Sequence, residues 1–576
     1  MPDTPNLTIT DPEVMLLQTE KESAYDFRKR RHGDMRDNYT LYRGKVIPNR
    51  LTQRQSVHVP LMKYTLQSIL KDLDEPPALY FKNLDNNEQK EVYYNEYWKK
   101  AVIEKGHLVL RDIMDKKQAL LYGRTFKKLN VVNGIFTFEV VDPQDMLVHR
   151  YIDPATLDSA DCLIQINIFK PLSDILENDS YSKSGRSTLS RYYTETEGSL
   201  NEDGSLNEKY EKAERMQDMG LEDALDPTLA ESHIELNEIY RKEYVKDEGR
   251  NVVFLYTVAT PAEDFMIKLQ KRRLDDVIGI TVDDFWTDHF PYSTWGTDPE
   301  RLDFWSDAPA DVIRVANQVL NSWFSQLIEN RMLRNFNMHY YDSSNSDFVP
   351  QTFDPEPWGW YPMPGDPNKI LKTVQVPDLS DSLDEMEFVK NLAERAVAAT
   401  SAQTGDVESK QVTLGEVQLA LANAKERVQS TAIFYTESWK DFGQKYIKML
   451  EAAHDSLEPL EIVKEGRLGK KMYTKVIAPK SWSSKAGYTA QVQLVSAKQE
   501  ADLVSLQKLD AAMAAMPNNM PLRTIRNKKL LEFADLSVEE RAQVEEFESQ
   551  NVKPEIDLGM EAPQPQPAMT QERPRV

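Results

Sequence analysis

Residues Ala308–Phe336 read APADVIRVANQVLNSWFSQLIENRMLRNF, and their spacing decides the kind of fold. Apolar side chains fall at Val312, Val315, Ala316, Val319, Leu320, Trp323, Phe324, Leu327 and Ile328, a sustained i, i+3, i+4, i+7 stripe. Asp307 is placed to cap the first turn, and Pro309 is tolerated at a helix start. At 1.5 Å per residue such a helix spans roughly 39 Å.

Downstream, the helical pattern stops. Residues 337–378 carry Pro355, Pro357, Trp358, Gly359, Trp360, Tyr361, Pro362, Pro364 and Gly365, which predicts a compact small module with short strands such as Ile370–Val376. A second helix opens at Ser382 with a capping box to Glu385 and runs to about Ala402, with a stripe of Leu383, Met386, Val389, Leu392, Ala393, Ala396 and Val397. A polar loop, Gln403–Gln411, follows. The next capping box, Thr413 with Glu416, starts a helix reaching about His454, where Gly443 is a candidate bend.

Upstream, residues 1–20 are polar and acidic and are expected to form a flexible arm; they have no secretory-signal pattern. The basic run Arg28-Lys29-Arg30-Arg31 has two readings, a solvated helix face or a contact with nucleic acid or an acidic neighbour. A helix is predicted over Tyr94–Leu121. Phe126–Val132 and Ile135–Val141 then flank Asn133-Gly134, the pair that supplies the positive φ angles of a type I′ hairpin turn, and Asp142-Pro143 ends the second strand. Residues 172–235 are Ser- and Glu-rich and read as an insertion or mobile surface segment, with a short helix near Tyr210–Met219. Strands are expected at about Ile234–Tyr244 and Val252–Ala259, with β or loop over 276–292. Residues 460–495 return to β character, 497–516 and Ser537–Ser549 read as helices, and Glu561–Val576 as a disordered Pro- and Gln-rich tail. The fold class is α+β, long helices with small β modules, and 576 residues suggest three or four packing units.

A hydrophobic fraction of 40% with 28% charged residues is that of a folded, soluble protein, and no apolar run long enough for a membrane span occurs. One cysteine, Cys162, allows no intrachain disulfide and no Cys-based metal site, and a lone Cys is usually a small buried hydrophobe. The net charge of −23 argues against a protein that grips phosphates tightly. It leaves room for a wall past which DNA slides.

Chemistry is hard to find. Gly466-Arg467-Leu468-Gly469-Lys470-Lys471 lacks the glycine spacing and the Ser or Thr of a phosphate loop. No Gly-x-Ser-x-Gly elbow and no His-Glu-x-x-His helix occurs. Asp283-Asp284 with Asp288 resembles a cation site but suits a solvated turn better. No catalytic residue, metal or cofactor is therefore assigned. Two other classes stay open: a metal-dependent nucleic-acid-processing enzyme using Asp283 and Asp284, and a non-viral helical scaffold or adaptor.

The order of elements resembles the portal proteins of tailed bacteriophages. Leu120-Leu121-Tyr122-Gly123, the Asn133-Gly134 hairpin and Val141-Asp142-Pro143 are similar to the portal wing; Phe290-Pro291-Tyr292, then Trp305–Pro309 and the helix bearing Asn317 and Asn321, are similar to the approach to the first stem helix. The resemblance implies a wing over 21–305, stem helices at 306–336 and 379–402, a clip at 337–378, a tunnel loop at 403–414, a long wing helix with returning strands at 415–498 and crown helices at 499–560. It further implies a ring of twelve copies at one capsid vertex, assembled in the host cytoplasm and carried in the virion. Double-stranded DNA would pass through it, the terminase large subunit and later head-completion (adaptor) and tail proteins would dock on the clip, and major capsid and scaffolding proteins would surround it. No membrane is implied. Candidate contacts on this reading are Lys410, Gln411 and Thr413 with DNA in the tunnel loop, Arg331 and Arg334 with DNA or a partner at the stem–clip end, and Trp358, Trp360 and Tyr361 with docking proteins.

Overall fold

A computed structural model describes residues 11–44, 57–73, 76–85, 88–132, 135–148, 152–196, 233–262, 265–281, 283–300, 303–335, 339–341, 365–366, 371–373, 379, 382–397, 414–453, 460–464, 473–477, 487–494 and 508, with backbone alone over 414–430. The chain divides into two compact units, Met1–Ile462 with Thr474–Val495, and Val463–Tyr473 with Ser496–Val576. Every element named below lies in the first.

Helix α1 (Pro12–Tyr42) starts inside the segment expected to be a free arm. Asp11 caps it, accepting from the Glu13 amide at 3.0 Å. Val14 and Leu17 are buried in its first turns. The arm reading fails past Asp11 because the partners are remote in sequence: Asp11 and Glu13 pair with Lys268 at 2.6 and 2.7 Å, and Glu13 also with Lys271 at 2.8 Å. Next come α2 (Leu61–Asp72), β1 (Pro77–Asn83), α3 (Glu88–Trp98) and α4 (Leu108–Tyr122). The single helix expected over Tyr94–Leu121 is in fact broken. A π-helical segment, Lys99–Glu104, ends α3, and His107 turns the chain in the left-handed region at φ 50° before α4. Gly106-His107 is the breaker that apolar spacing passes over.

The two strands pair as read, β2 (Arg124–Val132) and β3 (Ile135–Val141) antiparallel with Val132 opposite Ile135, while Asn133-Gly134 itself lies outside the described residues. A third strand, β9 (Tyr292–Gly296), pairs with β2 on its other edge. The larger sheet is antiparallel in the order β4 (Met146–Val148), β5 (Cys162–Pro171), β6 (His233–Val245), β7 (Arg250–Ala262), β8 (Phe265–Arg273). Both its faces are covered. Ile164, Ile239 and Val258 pack under Val14 and Leu17 of α1, while Leu163, Tyr240 and Val253 join the main core. Burial on both faces is why Gln165 and Asn167 of β5 are buried along with Leu163, Ile164 and Ile166. The turn and short helix following, α7 (Leu274–Ile278), occupy part of what was read as β or loop, and β8 was not foreseen. Of the supposed insertion, α5 (Leu172–Glu177) and α6 (Lys183–Thr196) are ordered parts of the fold: Ile175 and Leu189 are buried against Leu236 and Leu269. Tyr210–Met219 lies outside the described residues.

Helix α8 (Pro309–Asn335) follows, then the paired short strands β10 (His339–Tyr341) and β11 (Leu371–Thr373), then α9 (Ser382–Ala396), somewhat shorter than read, and α10 (Leu414–Ala452). Strand β12 (Tyr488–Leu494) pairs antiparallel with β1. Gly443 does not interrupt α10. It is where these strands come close: a Cβ there would stand 2.8 Å from the Ala490 Cβ and 2.9 Å from Leu79. Around it Trp98, Trp439, Phe442, Tyr446 and Phe138 pack edge-to-face, with ring centroids 5.0 Å apart for Trp98 and Tyr446 and 5.3 Å for Phe138 and Trp439.

Candidate functional site: two unpartnered helix faces and the ionic hub behind them

Helices α8 and α9 pack together through Trp323, Phe324 and Leu327 on one and Met386, Val389 and Ala393 on the other. The chain leaves along α8 and returns along α9. The buried face of α8 overlaps only part of the stripe read from the sequence. It is Ala310, Ile313, Asn317, Leu320, Asn321 and Ser325. Val312 and Val315 from the stripe are instead 49% and 62% exposed, and on α9 Phe388 and Leu392 are 68% and 58% exposed. A helix with two apolar sides in a single chain has one side left to cover.

The polar members of the buried face have a definite task. Asn317, Asn321 and Ser325 recur every fourth residue, and each accepts one backbone N–H: Met62 at 3.0 Å, Val59 at 2.7 Å and Val57 at 3.1 Å. They hold the strand-like entry to α2 against α8 and satisfy its otherwise orphaned donors. The first turn of α8 is fixed by α1. Asp311 accepts from the Ala308 amide at 2.8 Å, from Arg31 at 2.7 Å and from Asn38 at 2.9 Å. Thus Asp311, reaching back from inside the helix, does what Asp307 was expected to do; Asp307 pairs with Arg31 at 3.4 Å instead. Arg314 adds a 2.6 Å ion pair to Asp34.

The basic run therefore divides. Lys29 is exposed, but Arg28 and Arg31 are buried and act within the chain. Arg28 donates to the carbonyls of Gln144 and Met146. The acidic neighbour weighed for this run is Asp34, Asp307 and Asp311 of the same molecule.

Behind these helices sits an ionic hub between α4, β2, β9 and α10. Lys116 pairs with Asp112 at 2.7 Å, and Tyr435 of α10 donates to the same carboxylate. Asp115 takes Trp295 Nε1 at 2.9 Å, Thr125 at 3.0 Å and Lys127 at 3.4 Å, and Lys127 also reaches Ser438. Lys445 meets the Tyr292 carbonyl at 2.7 Å, Asp158 at 2.9 Å and Asp441 at 3.2 Å. Burial raises the Asp112 carboxyl above its usual range and lowers the Lys127 ammonium. For Lys445, burial opposes the charge, yet Asp441 and Asp158 outweigh it and hold the pKa above the ordinary lysine value. Spacing alone would have placed all three lysines on a solvated face. Their carboxylate partners make burial tolerable, Asp112 for Lys116 and Asp115 for Lys127 from the same stretch of chain, and the remote Asp158 with Asp441 for Lys445.

Other candidates fare unevenly. Arg331 and Arg334 are exposed in the last turns of α8, where cations suit a helix C-terminus. Lys410, Gln411 and Thr413, and Trp358, Trp360 and Tyr361, lie outside the described residues. The acidic group separates: Asp283 pairs with Lys448 at 2.6 Å, Asp284 with Arg250 at 2.8 Å and Asp288 with Lys242 at 2.6 Å. Each carboxylate has its own cation, and among the described residues no group of His, Cys, Asp or Glu is arranged to hold a metal. Cys162 is buried, and burial pushes its thiol well up, as suits a small hydrophobe. No helix among the described residues is long and apolar enough to cross a membrane.

Comparison with known proteins places the chain. Two solved structures have chains similar to it at 11% identity, each match covering 85% of this chain and 93% of the other: the neck of an empty GTA particle computed with C6 symmetry, at a TM-score of 0.38, and the virion of a native gene transfer agent particle, at 0.37. No curated protein matches. The family model of the phage SU10 portal protein matches residues 49–574. Because that match takes in nearly the whole length, including both apolar-faced helices and the hub, the chain belongs to the phage SU10 portal protein family.

Proposed function

We propose that the chain is a subunit of a twelve-membered ring that forms the DNA channel at one capsid vertex of a virion. Membership of a portal family over residues 49–574 carries this reading. Exposed Val312, Val315, Phe388 and Leu392 support it, since helices set side by side around a channel each need an apolar flank for the next copy. The role is structural, not enzymatic. Genome enters driven by the terminase large subunit docked on 337–378, and head-completion and tail proteins later take that surface. Trp358, Trp360 and Tyr361 are the anchors there, and Arg331 and Arg334 flank it. Major capsid and scaffolding proteins hold the ring in place during assembly in the host cytoplasm. Lys410, Gln411 and Thr413 in 403–414 meet the DNA. A chain of net charge −23 contacts phosphates sparsely, as a conduit requires.

Negative-stain electron microscopy with mass photometry tests the ring. The expected result is particles with a central pore near about 800 kDa, twelve times the 66.4 kDa chain; a monomer at micromolar concentration in both low and high salt refutes it. Particles carrying Lys410→Glu are expected to package less genome or to lose it, and full, stable heads would remove Lys410 from the DNA path.

A further inference from the structure

The described surface carries two patches that the ring reading does not use. One lies on α4 and the π-helical segment before it. Leu110 and Met114 are 61% and 51% exposed, and Ile103 and Val109 stand beside them. Lys99 and Lys105 are exposed there and Lys100, Arg111 and Lys117 half-buried, against one exposed acid, Glu104. In a chain of charge −23 this is a locally basic, apolar knob. The other patch is a groove of about 530 Å³ between α10, β9 and the segment 153–157. Phe434 and Pro154 give it an apolar wall, and Asp153, Glu300, Glu437 and Asp441 an acidic rim.

The two patches point in opposite directions. Helix α4 turns Asp112, Lys116 and Ala119 inward, with Asp112 on Tyr435 of α10, so Leu110, Met114 and Lys117 lie about half a turn away, facing out. Helix α10 turns Tyr435, Trp439 and Phe442 inward, so Phe434, Glu437 and Asp441 face away from α4. Complementary patches on opposite sides of one subunit are what a head-to-tail, closed ring demands.

We propose that the α4 knob of one copy seats in the acidic groove beside α10 of the next, and that this contact sets the order of copies in the ring. Leu110 and Met114 enter toward Phe434, and Lys99 and Lys105 meet Glu300 and Glu437. The proposal rests on the ring reading above, but adds a contact that can fail alone. A nucleic acid is the poorer occupant of the knob, because phosphates gain nothing from Leu110 and Met114.

Charge reversal in the full-length chain tests it by mass photometry. One variant carries Glu300→Lys and Glu437→Lys; the other carries Lys99→Glu and Lys105→Glu. All four residues are exposed, so each variant is expected to melt like the parent. Either variant alone sets like charges against each other at every contact and is expected to lose at least tenfold in ring fraction. Mixed in equal amounts, the two restore both contacts only if they alternate, so rings are expected to return with the variants at one to one. If either variant forms rings alone, or if the mixture does not, the contact is wrong while the ring stands. If the parent chain forms no ring, both readings fall.

Discussion

Gly123→Ala is the sharpest probe of how α4 and the β2–β3 hairpin are joined to α8. Gly123 ends α4 at φ +86°, donates to the Ala119 carbonyl at 2.8 Å, and a Cβ there would stand 1.9 Å from the Ser306 carbonyl oxygen. Placing an L-residue in that conformation costs about 1–2 kcal/mol. Relieving the overlap means moving backbone at Ser306, and with it the Arg31 bond to the Ser306 carbonyl at 3.2 Å and the Thr297 bond to the Asp307 carbonyl at 2.8 Å. Overpacking of this kind costs about 1–3 kcal/mol, and each lost hydrogen bond about 1 kcal/mol. With both bonds lost the total comes to about 4–7 kcal/mol. Gly249→Ala is the control, because Gly249 also has positive φ, +67°, but nothing lies within 4 Å of its missing Cβ. It is expected to cost about 1 kcal/mol. Melting followed by tryptophan fluorescence suits the comparison, since Trp305 is buried beside Ser306. At about 1 °C per kcal/mol for a unit of this size, Gly123→Ala is expected to lower Tm by roughly 4–7 °C and Gly249→Ala by roughly 1 °C. Equal shifts in the two variants would show that the approach of Ser306 to Gly123 is not a constraint on the fold.

Three further outcomes follow from the same structure. Asn317→Ala leaves the buried Met62 amide without its acceptor and is expected to cost about 1–3 kcal/mol, with faster amide exchange at Met62 while Val59 keeps its bond to Asn321; unchanged protection at Met62 would mean that α2 is held by packing alone. Lys445→Met strands Asp158 and the Tyr292 carbonyl and is expected to cost about 3–5 kcal/mol, part of it recovered by adding Asp158→Asn; no recovery would place the loss in packing rather than charge. The Lys268 bonds, with Lys271 on Glu13, hold the Asp11 and Glu13 carboxyls below their ordinary 3.8 and 4.5. Their stabilisation is present above those values and is lost as pH falls through the lower folded-state ones. Protection at residues 12–20, taken relative to the intrinsic exchange rate, is therefore expected to fall as pH drops below the ordinary carboxylate values, and Lys268→Ala to have the same effect at neutral pH; a first turn equally protected in both conditions would remove the clasp.

Local chemistry was legible in the sequence by itself. Asn133-Gly134 fixed the hairpin and put Val132 opposite Ile135, because a two-residue turn leaves no freedom of register. The apolar spacing after Pro309 located α8, and the runs near 234–244 and 252–259 located β6 and β7, because periodicity reports burial directly. The order of these elements was enough to suggest a portal. What the tertiary structure decided was which side of each helix is inside. Of the apolar stripe on α8, Val312 and Val315 stay exposed while Leu320 is buried, and the polar ladder of Asn317, Asn321 and Ser325 is buried with it, which apolarity alone does not indicate. The ladder is buried because α2 brings it unpaired amides, a partner more than two hundred and fifty residues away in the chain. The same holds for Arg31, paired with Asp311, and for Lys445, paired with Asp158. A charge is stable in the interior only where counter-charges converge on it, and convergence is a property of the folded chain, not of any local window.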